Sequence, residues 1–141
     1  MRALSLAALV ALAATPAFAG SASAKTTTLH ASLKGSEEVP AAAGGSASAK
    51  ITLDSTKKKV CWTFTKIKGF SGANAAHIHV GAKGKAGDVI VPFGSAFKSK
   101  GCQTSISKSV IGAIRAHPGR YYVNIHNSQF PAGVVRGQLK K

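Results

Sequence analysis

The sequence has very few acidic residues. Glu37, Glu38, Asp54 and Asp88 stand against 19 lysines and arginines, and the formal net charge is +15. Adjacent Glu37 and Glu38 would point in opposite directions on an extended segment, so they cannot act as the paired carboxylates of a hydrolase. A nucleophile-elbow serine and a phosphate-binding glycine pattern before a helix are also missing. The sequence therefore predicts a protein without enzymatic activity, and a metal-dependent enzyme is the alternative that stays open.

Long apolar runs are missing from all but the first segment. Met1-Arg2 is a short positive start, residues 3–15 are almost continuously apolar, and Ala17-Phe18-Ala19 is a small-x-small site before Gly20. This order is typical of a secretory signal peptide, here residues 1–19, cleaved near Ala19-Gly20. The run is shorter than the roughly 20 apolar residues of a membrane-spanning helix. The sequence predicts no transmembrane segment and an extracellular or periplasmic protein.

Export would leave 122 residues, from Gly20 to Lys141. Residues 20–27 are small and polar, which predicts a flexible leader. Residues 28–141 have the length of one domain.

Cysteine is scarce, because Cys61 and Cys102 are the only two. An even number of cysteines in an exported chain indicates a disulfide. Closing this loop would stabilise the fold by roughly 4 kcal/mol in the chain-entropy model. The alternative is a pair of thiolate metal ligands, which an oxidising compartment disfavours.

Positive charge is what the sequence has in excess. Losing Arg2 with the signal peptide lowers the formal charge from +15 to +14. Such a chain binds anionic surfaces with little specificity. Export excludes nucleic acid as the physiological partner, so anionic extracellular or cell-surface polymers are the predicted partners. The alternative is that the lysines only keep a small secreted domain soluble.

Alternating apolar residues predict the fold class. Short stretches with a period of two are separated by turn residues, which is typical of antiparallel strands in a sandwich or barrel. A helical stripe of Val110, Ile111 and Ile114 lies between a capping Ser107 or Ser109 and a Pro-Gly stop. The sequence predicts an all-β fold: an antiparallel β-sandwich or barrel with one short helix and one disulfide, Cys61–Cys102.

Four segments, in this order, resemble the CHRD (chordin-type) domain family. They are Leu33-x-Gly35-x-Glu37-Glu38-Val39-Pro40, Ala75-Ala76-His77-Ile78-His79-x-Gly81, Tyr121-Tyr122-Val123-Asn124-Ile125-His126 and Pro131-x-Gly133-x-x-Arg136-Gly137-Gln138-Leu139. The resemblance covers roughly residues 28–139 and implies the fold and a secreted domain. The function predicted for it is that of a non-enzymatic extracellular binding or structural module, and the alternative is a copper- or zinc-binding protein. Growth-factor binding, known for chordin, is not carried over to a lone domain.

Polar side chains two residues apart share one face of a strand. Three such pairs are His77 with His79, Asn124 with His126, and Arg136 with Gln138. If the strands are neighbours, His77, His79 and His126 could converge, and three histidines plus a water suit copper or zinc.

The alternative is a structural polar network. Its predicted members are Glu37, Glu38, Asn124, Arg136 and Gln138. In this network one glutamate forms a bidentate salt bridge with Arg136.

Overall fold

The computed structural model describes residues 26–42 and 44–141. The predicted signal peptide, residues 1–19, and most of the predicted leader, residues 20–27, lie outside this part of the chain. The first strand begins at Thr26, two residues before the predicted start of the domain, because Thr26 and Thr27 pair with Asp54 and Leu53.

The described residues form eight strands and one α-helix. The bounds are β1 Thr26–Lys34, β2 Ser46–Asp54, β3 Lys59–Lys68, β4 Ala73–Val80, β5 Val89–Pro92, β6 Lys100–Gln103, α1 Lys108–Ala116, β7 Tyr121–Asn127 and β8 Val135–Gln138. The strands make one antiparallel sheet in the order β5-β4-β7-β8-β1-β2-β3-β6. None of the helices in these residues is long and apolar enough to span a membrane.

The sheet curls into a nearly closed barrel. The segment between β5 and β6 spans the gap between the two sheet edges, since the Phe93 amide donates to Ala76 on β4 and the Ser99 carbonyl accepts from Phe64 on β3. Trp62 stacks on Phe93 inside, with ring centroids 4.4 Å apart. Of the two predicted architectures, the structure is the barrel.

Alternation along the strands decides which side chains form the core. On β1, Leu29, Ala31 and Leu33 are buried, and the residues between them are exposed. Helix α1 begins as predicted after Ser107, whose Oγ accepts a hydrogen bond from the Val110 amide. Its buried face, Ile111 and Ile114, joins the same core.

The predicted disulfide is confirmed. Cys61 on β3 lies opposite Cys102 on β6, and the S–S distance is 2.12 Å. The bond therefore ties an edge strand of only four residues, Lys100–Gln103, to its neighbour.

The outward side of β4, β7 and β8 is not open to solvent. Six of the seven residues of β7 are buried, although only alternate ones can face the barrel interior. The loops after β4 and after β7 cover this side, because Lys85 and Gly87 of the first and Pro131 of the second hydrogen-bond to outward side chains. A polar site is thereby enclosed on the outside of the barrel.

Candidate metal centre

Strand pairing brings the three predicted histidines together. Strands β4 and β7 are neighbours, and their register places His77 opposite Asn124 and Ala75 opposite His126. Because directly paired residues share a face, His77, His79 and His126 all project from the covered outer side. One ring nitrogen from each lies within 4.8 Å of those of the other two.

The spacing of these nitrogens is close to that of metal ligands. Nδ1 of His77 lies 3.1 Å from Nε2 of His126. Two nitrogens held tetrahedrally at 2.0–2.1 Å from a zinc ion lie about 3.3 Å apart. The His77–His126 distance is thus close to that between two ligands of one ion, and the three nitrogens lie within 4.8 Å of one another.

His79 has a fixed orientation and an unused nitrogen. Its Nδ1 lies 2.9 Å from the carbonyl oxygen of Gly87, which can only accept, so Nδ1 carries the proton. Its Nε2 then has a lone pair, and this buried atom makes no hydrogen bond of ordinary geometry among the described residues, although the Asn124 side chain is near enough to act on the His79 pKa. Residue 87 must be glycine, because a Cβ at this position would overlap the Val80 carbonyl oxygen. A ring held by a carbonyl with its other nitrogen free is the usual arrangement of a metal-ligating histidine.

His126 is held in the same way from the other loop. Its Nδ1 lies 2.9 Å from the Pro131 carbonyl oxygen and donates to it. Its Nε2 faces the cluster, 2.9 Å from Oδ1 of Asn124. The two backbone carbonyls turn the Nε2 atoms of His126 and His79 toward the cluster, but unlike Nε2 of His79, Nε2 of His126 already has two polar neighbours, Oδ1 of Asn124 and Nδ1 of His77.

The electrostatics keep the cluster ready to bind a cation. Burial, reinforced by His126 and His79, lowers the pKa of His77 from 6.5 to about 4. Burial also lowers the pKa of His79, and the charges of His126 and Arg136 act in the same direction, although interactions with the Gly87 carbonyl and the Asn124 side chain partly oppose this. Both rings are neutral near pH 7, which is the form that ligates metals.

The sequence of this chain also identifies its protein family. The model of the CHRD domain matches residues 29–139, which is most of the chain. The chain belongs to the CHRD domain family. Comparison with curated proteins and with solved structures gave no match.

The resemblance based on four sequence segments is thus confirmed, and the CHRD domain together with the disulfide fits an extracellular protein. All four segments contribute to the covered side of this CHRD domain or to the loops around it. At the level of function, the family match supports an extracellular module.

The predicted polar network of this CHRD domain is present only in part. Nε2 of Gln138 donates to the carbonyl oxygens of Gly81 and Gly119, at 3.0 and 2.7 Å, and so ties two loops to β8. Nδ2 of Asn124 makes a longer bond of 3.4 Å to Ala132.

The predicted salt bridge between a glutamate and Arg136 was wrong. Within the described residues, Glu37 pairs instead with Lys83 at 3.2 Å on the surface, and neither glutamate forms a salt bridge with Arg136. The reason is that the Arg136 side chain lies over the ring of Tyr122 and donates to the Lys85 carbonyl oxygen at 2.7 Å. These contacts hold the guanidinium over Tyr122, and its charge acts on Glu38 without forming an ion pair.

Glu38 is buried without a full set of partners. Its Oε1 has no hydrogen bond among the described residues, and its carboxylate packs so closely on Gly133 that a Cβ there would collide with it. Burial raises the pKa of Glu38 from 4.5 to about 7, although the Arg136 charge and the Val39 amide both lower it. Glu38 therefore holds its proton over a range in which an exposed glutamate would be ionised.

Tyr122 is the site residue that sequence reasoning missed. It lies opposite His79, its ring stacks on the His79 ring with centroids 4.9 Å apart, and its hydroxyl accepts a hydrogen bond from the Gly87 amide. A signal for it existed, because Tyr122 shares the outward period of Asn124 and His126.

Proposed function

We propose that this CHRD domain is an extracellular module that binds one transition-metal ion, copper or zinc, through His77, His79 and His126. The observation that supports the proposal best is the buried Nε2 of His79. Leaving a buried polar atom without a partner costs about 1–3 kcal/mol, and a bound metal ion would supply the partner.

The donor set suits these metals. Three neutral imidazoles match copper and zinc, whereas calcium and magnesium take oxygen ligands. His77 is only half-buried, so a water molecule has a route to a fourth position beside it. We propose binding without catalysis, since no step beyond coordination is needed to account for the arrangement.

Titration of the exported protein with copper and with zinc tests the proposal. The protein is purified without a histidine tag and stripped of metal with a chelator. We expect one ion per chain and a melting temperature that rises with free metal, by the equivalent of about 2.7 kcal/mol at 100 times Kd. Absence of stoichiometric binding of either metal would refute the proposal.

A second candidate function is retention on anionic extracellular polymers, and one surface feature favours it. A cleft of about 250 Å³ lies between β1, β8 and the loop after β4. Lys34, Lys83 and Lys140 line it together with Glu37, and within the described residues Lys83 is the only one of these lysines with a carboxylate partner, Glu37. We propose that this cleft receives an anionic group of a polymer.

Column retention on a polyanionic resin distinguishes this cleft from net charge. We expect Lys34→Ala/Lys140→Ala to elute at lower salt than wild type, because cleft charges act together on one group. The control, Lys57→Ala/Lys100→Ala, removes the same charge from exposed sites outside the cleft. Equal elution of the two double variants would show that net charge alone sets retention, and wild-type elution at very low salt would refute polymer binding.

A further inference from the structure

A buried positive charge lies two rings away from the proposed metal. Arg136 is 2% exposed, and its guanidinium carbon lies 3.6 Å from the centroid of the Tyr122 ring. Tyr122 in turn stacks on His79 with an interplanar angle of 8°. Strand order β4-β7-β8 places Tyr122 on the middle strand, so Arg136, Tyr122 and His79 form one stack across three strands.

The charge in this stack has no direct counter-ion. Arg136 donates to the Lys85 carbonyl oxygen, which is neutral, and makes no salt bridge within the described chain; the carboxyl that its charge does act on, Glu38, has a pKa raised by burial to about 7. Buried charges are screened much less than exposed ones, so the guanidinium acts on its surroundings over several ångströms.

The candidate metal ligands carry no negative charge that would offset the charge of Arg136. An imidazole that ligates a metal ion carries no charge, and the described residues that offer ligand atoms to the cluster include no carboxylate or thiolate. A divalent ion would therefore bring two positive charges close to Arg136, whereas a monovalent ion would bring one. The electrostatic cost is about twice as large for the divalent ion.

We propose that the three-histidine site is selective for copper in its monovalent form, Cu(I), and that Arg136 is the positioning residue that sets this preference. The inference rests on the proposed metal-binding function and specifies its ligand. Tyr122 separates the guanidinium from His79. The charge of Arg136 therefore acts on the ion electrostatically, while the guanidinium does not contact the ligating nitrogen.

Competition titrations with chelators specific for each oxidation state test this inference. Cu(II) is offered in air, and Cu(I) is offered under nitrogen with ascorbate, which supplies the electron. We expect wild type to bind Cu(I) more tightly than Cu(II). We expect Arg136→Gln to lower the ratio of the Cu(II) and Cu(I) dissociation constants by at least about tenfold, which is 59 mV for a one-electron couple.

Two matched variants separate charge from structure. Arg136→Lys keeps the positive charge, and we expect it to keep most of the preference. Lys34→Gln removes an exposed charge from the residue that pairs with Arg136 on the adjacent strand, and we expect the ratio to stay at its wild-type value.

The outcomes are distinguishable. Equal weakening of Cu(I) and Cu(II) binding in Arg136→Gln would mean that the arginine only holds the loop at Lys85, and would overturn the inference while leaving metal binding intact. Tighter binding of Cu(II) than of Cu(I) by wild type would overturn it without any variant, should Arg136→Gln fail to fold. Failure of wild type to bind copper or zinc would refute the proposed function itself.

Discussion

Replacing His79 by alanine should weaken the binding of copper and zinc at least about 100-fold. Removal of an outer partner of a metal ligand already costs 10–100-fold, and His79 would be a ligand itself. His77→Ala and His126→Ala should have effects of similar size, because each removes one of three nitrogens.

The control for this series is His30→Ala. His30 is exposed on the outward face of β1, away from the three-histidine cluster, and its loss should leave metal affinity unchanged. Melting temperatures in excess chelator, measured first, establish that each variant is folded. If all three cluster variants bind metal as tightly as His30→Ala does, the ions bind elsewhere and the assigned ligands are incorrect.

Replacing Glu38 by glutamine should raise the free energy of unfolding, relative to that of wild type, more at pH 8 than at pH 4. The pKa of Glu38 is raised from 4.5 to about 7 by burial. Below pH 4.5 the carboxyl is protonated in both the folded and the unfolded state, so it contributes nothing to the pH dependence. Between pH 4.5 and about 7 the unfolded state loses its proton first, and folding becomes less favourable as pH rises.

The size of this effect is up to about 3 kcal/mol, because one pKa unit corresponds to 1.36 kcal/mol. Glutamine cannot ionise, so Glu38→Gln removes this loss. Denaturant unfolding of variant and wild type at both pH values measures it. The informative quantity is the change in the free energy of unfolding between the two pH values. Any constant cost of fitting the amide beside Gly133 cancels in this difference. Titration of His77, with a pKa lowered to about 4, is common to both proteins.

Glu37→Gln is the matched control for Glu38→Gln. Glu37 is the neighbouring glutamate, and its only ion pair within the described chain is a surface contact with the exposed Lys83. Surface pairs contribute about 0–1 kcal/mol, so this variant should keep the wild-type pH dependence. The same pH dependence in both variants would contradict the assignment of a raised pKa to Glu38.

Much of the barrel was predictable from local patterns. A period of two in Leu29, Ala31 and Leu33 predicts a strand with one buried face, and the structure buries all three. The helix after Ser107 was predictable because its cap, apolar stripe and Pro-Gly stop lie within about a dozen residues. The disulfide followed from there being only two cysteines in a chain with a signal peptide pattern.

The choice between sandwich and barrel was not predictable in the same way. It depends on how the segment between β5 and β6 spans the sheet edges, through contacts such as Phe93 with Ala76 and with Trp62. Tyr122 was missed for a related reason. A residue on the outward face of a strand is expected to be exposed, and two distant loops bury it here.

The sequence by itself determined the alternation that places His77 with His79, and Asn124 with His126, on common faces. Only the tertiary structure decided that β4 lies beside β7, which joins histidines 49 positions apart in the chain. It also decided that Arg136 stacks on Tyr122 instead of pairing with a glutamate, and that Gly87 and Pro131 orient two imidazoles. The physical reason is that side-chain period is set by local backbone geometry, whereas strand order and loop cover come from non-local packing.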